Sequence, residues 1–229
     1  IIRQHPDVVM VYGVDSEVTG FLDKFRDLGI PAVLVSEYLE RSPLGKAEWI
    51  KFMAAFTGKE EMADSLFRSV ENSYLSLTRR TAGISDLPAV MTGLPYRDTW
   101  WVPGGKSYLA NLIHDAGGSY IFRENRSHES FAVSMEEAIV RSAGAGFWIH
   151  TGTVSSKDEI LASDIRFRSF PMFSKALIYN NNKRSTNAGG NDFWESGTVY
   201  PDRILADMIR IFHPGLLPVD SLIYYKAIK

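Results

Sequence analysis

Hydrophobic and polar positions along the chain switch repeatedly between a period of two and a period near 3.6. Asp7-Val8-Val9-Met10-Val11-Tyr12 is a short apolar run ending at Gly13, and it reads as a buried parallel strand. From Glu17 to Leu28 the apolar residues Val18, Phe21, Leu22, Phe25 and Leu28 recur at helical spacing, and Gly29 stops the pattern. Pro31 to Val35 is the next strand. This is a βαβ unit, whose crossover is right-handed in nearly every known case.

The middle of the chain is helical. Ser42-Pro43 supplies an N-cap and a first-turn proline, and Trp49, Ile50, Met53 and Phe56 follow on one face. Gly58 interrupts, and Thr57-Gly58-Lys59-Glu60 has the form of a capping box that opens a second helix running toward Arg80. Met62, Leu66, Val70, Tyr74 and Leu77 give its expected apolar stripe. A helix of about 22 residues reaches roughly 33 Å, long enough to brace two lobes.

After Gly83-Ile84-Ser85-Asp86-Leu87-Pro88 the alternation resumes. Strands are expected at Ala89 to Thr92, Ser119 to Phe122, Gly146 to His150 and Ala176 to Tyr179, and helices at Ser107 to Ala116, Ser134 to Ser142 and Pro201 to Phe212. The fold class is therefore α/β.

Composition narrows the function. The 229 residues are 45% hydrophobic and 23% charged, which suits a chain with a sizeable core. A net charge of −2 argues against nucleic acid as the main partner. No apolar run approaches the roughly 20 residues that span a bilayer. The sequence has no cysteine, so disulfides and thiolate sites are excluded. The five histidines, His5, His114, His128, His150 and His213, form no close pair, which disfavours an imidazole metal site. No metal or cofactor is expected. The opening IIRQHPDVVMVYG begins almost at a strand and reads as a fragment or processed form.

Enzyme motifs are missing: there is no G-x-S-x-G, P-loop or H-E-x-x-H. Pro103-Gly104-Gly105-Lys106-Ser107 resembles a phosphate loop faintly, but as a helix start capped by Ser107 it needs no ligand. Two aromatic loops stand out. One holds Tyr96, Arg97, Trp100 and Trp101; the other runs from Asn180 through Lys183, Arg184, Asn191 and Phe193 to Trp194. Both follow expected strands, and ligands of open α/β sheets bind beyond the carboxyl ends of strands. The five large rings either wall a binding site or cap an edge of the core. His150, at an expected strand end, joins the candidate set, and Lys183 and Arg184 add positive charge beside it. Asp192 and Glu195 leave open an α/β enzyme acting on a sugar or nucleotide with paired carboxylates, although no activated nucleophile accompanies them. A surface scaffold role is a third possibility, which the aromatic loops disfavour.

Three segments carry a resemblance: Tyr179 to Arg184, Gly189-Gly190-Asn191-Asp192-Phe193-Trp194-Glu195-Ser196-Gly197, and Pro201-Asp202 through His213-Pro214. With Ser42 to Phe52 and the turn Trp101 to Ser107, they are similar to class III periplasmic solute-binding proteins, more narrowly the Bacteroidota-type cobalamin and ferric-siderophore branch. The resemblance implies two Rossmann-like lobes joined by a long helix. Residues 1–41 would be the remainder of an incomplete amino-terminal lobe, 42–82 a helical segment with the inter-lobe helix, and 83–229 the carboxy-terminal lobe. It implies a binding protein without catalysis that hands a ferric siderophore, haem or corrinoid to an ABC permease in the inner membrane. It implies a periplasmic location, with a lipid anchor on an amino-terminal segment that this chain lacks. It also implies that Glu17 and Glu195 dock on the permease while the aromatic of the Asp192-Phe193-Trp194 segment meets the ligand.

Overall fold

A computed structural model describes residues 2–13, 17–97 and 99–229 of the chain. Strands and helices alternate as the two periods require, and the chain divides into two compact units, Ile1–Glu40 and Arg41–Lys229.

In the first unit β1 (Val9–Tyr12), α1 (Glu17–Asp27) and β2 (Ala32–Val35) form the expected βαβ. The strands pair in parallel, Val9 opposite Ala32 through Tyr12 opposite Val35. Gly29 takes the left-handed conformation (φ 67°) that ends α1, donating to the Arg26 carbonyl. Among the described side chains of this unit, Phe25 and Val35 are the buried hydrophobic ones.

The second unit holds α2 (Pro43–Ala55), α3 (Glu60–Thr81), β3 (Ala89–Thr92), β4 (Thr99–Val102), α4 (Tyr108–Asp115), β5 (Ser119–Tyr120), β6 (Phe131–Ser134), α5 (Met135–Ser142), β7 (Phe147–Ile149), α6 (Lys157–Ser163), α7 (Pro171–Lys175), β8 (Leu177–Asn180), α8 (Ser196–Val199), α9 (Pro201–Phe212) and β9 (Lys226–Ala227). Serine hydroxyls at residues 42, 107, 134 and 156 each accept a backbone N–H three residues on, so four helices carry caps worth about 1 kcal/mol each. The main sheet runs β5-β3-β7-β8-β9, parallel except for β9, which is antiparallel to β8.

Three expectations change. The capping box at Thr57 does not form: its hydroxyl donates to the Ala54 carbonyl, and Lys59 stands at the N-cap without a side-chain bond. The buried line of α3 is Ala63, Phe67, Val70, Tyr74 and Thr81, so Met62 lies exposed. The stretch taken as an aromatic loop contains β4, which pairs antiparallel with β6, Trp100 opposite Val133. The long helix α3 belongs to the second unit, where it packs on α2 and α9.

Candidate functional site

The parallel strands β3, β7 and β8 end side by side, and the segments leaving them are stitched together. The Gly93 N–H donates to the Ile149 carbonyl, and the Trp148 indole donates to the Gly93 carbonyl at 2.7 Å. Asn180 sends its amide to the carbonyls of Gly152 and Val154, and Asn182 does the same to Thr153 and Val154. This is the end of an open α/β sheet where ligands bind.

On that end GGNDFWESG forms a compact knot. Gly189 (φ 86°) makes the turn, and Asn191 accepts the Phe193 N–H on its side-chain oxygen. Phe193 points inward and is 2% exposed, ringed edge-on by His150, Trp194, Tyr224 and Tyr225 at 4.7–6.0 Å. Trp194, packed against Phe193, remains 54% exposed. The flanking acids do different jobs. Asp192 takes Arg184 at 2.8 Å and the Ser196 hydroxyl at 2.9 Å, while Glu195 is exposed at the start of α8 and makes no capping bond.

His150 leaves β7 in the left-handed region (φ 56°), an uncommon backbone for a residue with a side chain. Its Nε2 lies 2.6 Å from the Tyr225 hydroxyl. Burial pushes the imidazole down to about 3 and the phenol well above its usual range. Both shifts agree on a neutral imidazole accepting from the phenol, and the tautomer is assigned on that ground. His150 therefore supports the wall from behind.

Three residues without a place in the sequence reading, Asp207, Tyr224 and Tyr225, hold this region. Asp207 is fully buried and accepts the N–H groups of Ile223, Tyr224 and Tyr225. That clamp delivers Tyr225 to His150 and Tyr224 to Ser196, whose hydroxyl oxygens lie 2.9 Å apart. A signal for it existed: Asp207 is a lone carboxylate inside the apolar run Ile204-Leu205-Ala206-Asp207-Met208-Ile209.

The expected wall is thus only partly assembled. His150, Phe193 and Trp194 come together, with Asn191 shaping the turn and Arg184 joined through Asp192 and its approach to the Tyr224 ring (6.0 Å). Lys183 donates its ammonium to the Leu222 carbonyl and so braces the loop. Trp100 is corrected outright: strand alternation turns it into the core, 0% exposed, against Trp148, Phe167 and Phe170, with its indole donating to the Thr92 carbonyl. Trp101, the next residue, is 58% exposed on the other face of the β4–β6 pair. Tyr96 and Arg97 follow β3 as an exposed turn, with Arg97 (φ 58°) 5.3 Å from the Tyr96 ring. The side chain of Glu17 lies outside the described residues.

The glycine turn before α4 has no room for a phosphate. A Cβ on Gly104 would sit 2.3 Å from the Ser127 carbonyl, and one on Gly105 2.4 Å from that of Asn125. These glycines exist for close backbone packing. Among the described residues no group of three or more metal-binding side chains gathers, and no helix is long and apolar enough to cross a membrane.

Comparison with known proteins fits this architecture. An uncharacterized lipoprotein of Methanocaldococcus jannaschii is 28% identical over 218 residues, covering 93% of this chain and 50% of its own length. A second uncharacterized lipoprotein from that organism is 26% identical over 240 residues, covering all of this chain and 58% of its own. The chain thus spans little more than half the length of these curated relatives. Among solved structures, a periplasmic heme-binding protein from Roseiflexus sp. RS-1 in apo form superposes with a TM-score of 0.69 at 17% identity, over 94% of this chain and 79% of that one. The Fe3+-Desferal-bound siderophore binding protein of Vibrio cholerae gives 0.60 at 15% identity, over 93% and 76%. These likenesses establish the fold. A family model described as periplasmic binding protein matches residues 1–175, most of the chain, and the chain belongs to the periplasmic binding protein family.

Proposed function

We propose that the protein is the solute-binding component of an ABC importer, capturing a ferric siderophore, haem or corrinoid and passing it to a permease. The observation that carries the reading is Trp194, a large ring left half exposed on a buried aromatic base at the carboxyl end of the parallel sheet. Solved proteins of this fold include binders of heme and of a ferric siderophore by their titles, which supports that ligand range. Trp194, Trp101, Tyr96, Arg97, Lys183 and Arg184 are the exposed members of the candidate set that remain for contact with ligand. Exposed Glu195, with Glu17, is the proposed docking pair for the permease. Family membership and relatives named as lipoproteins support a lipid-anchored periplasmic location. The enzyme reading loses its carboxylate pair, because Asp192 is occupied by Arg184 and Ser196.

Native mass spectrometry of the intact protein, incubated with ferric hydroxamates, ferric catecholates, haemin and cobalamin, tests this reading. Saturable one-to-one capture of one class is expected. Capture of none, with turnover of a glycoside or phosphate ester, would replace it by the enzyme.

A further inference from the structure

One recognition pattern in the chain has no part in the site above. Asn125-Arg126-Ser127 is Asn-x-Ser with a middle residue other than proline, the acceptor pattern for N-linked glycosylation. No other asparagine of the chain stands two residues before a serine or threonine. The pattern lies between β5 and β6, where Arg123, Glu124, Arg126, His128 and Glu129 are all exposed. The inner side of this segment is backbone. Its carbonyls at Arg123, Asn125, Ser127 and Glu129 press on Gly104 and Gly105, and Ser127 accepts the Lys106 N–H at 3.0 Å.

The Ser127 N–H donates to Asn125 Oδ1 at 2.8 Å. A donor there must meet the oxygen of the amide, which identifies the other atom as its nitrogen. That nitrogen, Nδ2, makes no hydrogen bond among the described residues and is not enclosed. The turn holds the amide by its oxygen and leaves its nitrogen to solvent. The Ser127 hydroxyl accepts the Glu129 N–H at 3.0 Å and keeps its own proton to donate.

We infer that Asn125 is a glycosylation site, its Nδ2 receiving an oligosaccharide from a polyprenyl-phosphate-linked donor outside the cytoplasm. The Nδ2 lone pair forms the bond to the anomeric carbon. The bond from that carbon to the phosphate oxygen breaks, and the lipid phosphate leaves with its electron pair. One amide proton passes from Nδ2 to a base of the transferase. The product nitrogen keeps one N–H, and Oδ1 still accepts from Ser127, so the attachment costs the turn no hydrogen bond. This goes beyond the proposed transport role and rests only on its exported location, which relatives named as lipoproteins support.

The test is peptide mass spectrometry on the full-length protein purified from the organism that encodes it, with variants expressed there. The wild-type peptide bearing Asn125 should carry a sugar mass on that residue. Asn125→Gln should lose it, and Ser127→Ala should lose it although Asn125 remains. Ser127→Thr should keep it, which separates recognition of the hydroxyl from damage to the turn. An unmodified Asn125 in exported wild-type protein would overturn the assignment and leave the proposed transport role untouched. A sugar mass that persists in Ser127→Ala would overturn it as well, since attachment would not depend on the acceptor pattern. Recovery of the chain from the cytoplasm alone would overturn the exported location and the glycosylation site together.

Discussion

Acid should loosen the aromatic knot through His150. The imidazole is enclosed by Phe193, Trp194 and Tyr225, and burial lowers it from its ordinary value of 6.5 to about 3. A base with a folded value below its unfolded one favours folding while it is neutral in both states. Its stabilisation is complete above pH 6.5 and is lost as the pH falls below it, down to about 3. The slope is about 1.4 kcal/mol per pH unit, so a loss of roughly 2–3 kcal/mol is expected by pH 4.5. Carboxylates titrate in the same range, which makes a difference measurement necessary. His150→Asn does not titrate and tolerates the left-handed backbone. Urea unfolding of both proteins between pH 7.5 and 4.5 should show the variant less stable at neutral pH, with the gap narrowing at the stated slope below 6.5. Parallel stability curves would refute a neutral, enclosed His150.

Other parts of the account are open to equally direct checks. Phe193→Ala removes the central ring of the cluster and should cost about 3–5 kcal/mol, lowering the melting temperature by roughly 6–20 °C; a shift under about 2 °C would deny it a core role. Asp207→Ala strands the N–H groups of Ile223, Tyr224 and Tyr225, the last two buried, and should cost about 3–5 kcal/mol in urea unfolding, with hydrogen-exchange protection lost first at Tyr224 and Tyr225. Gly105→Ala should destabilise because its Cβ meets the carbonyls of Arg123 and Asn125; a neutral outcome in thermal melts would contradict the close packing. Glu195→Ala should leave ligand affinity unchanged while weakening stimulation of the permease ATPase, an effect that shrinks with salt as screening removes the wild-type steering.

Much of the fold was legible because local signals agree with tertiary placement. Ser42, Ser107 and Ser134 cap the helices they precede, and β3 and α9 fall where their periodicity puts them. The β4–β6 pair was not legible. Its short strand Thr99-Trp100-Trp101-Val102 looks like an aromatic loop until Phe131–Ser134, some thirty residues on, pairs with it. That single miss placed Trp100 on the wall, since only a strand period sends adjacent tryptophans to opposite sides. The site divides in the same way. Trp194 and Phe193 were found through composition and resemblance, but their opposite burial depends on Tyr224, Tyr225 and His150, brought in from distant segments.

The most direct measurement of the central claim is the calorimetric affinity of wild type and Trp194→Ala for whichever chelate, haemin or cobalamin the intact protein captures. If the exposed ring is the floor of the ligand site, the variant should bind at least tenfold more weakly, about 1.4 kcal/mol, with its melting temperature little changed. Wild-type affinity in the variant would contradict the placement of the site on this end of the sheet.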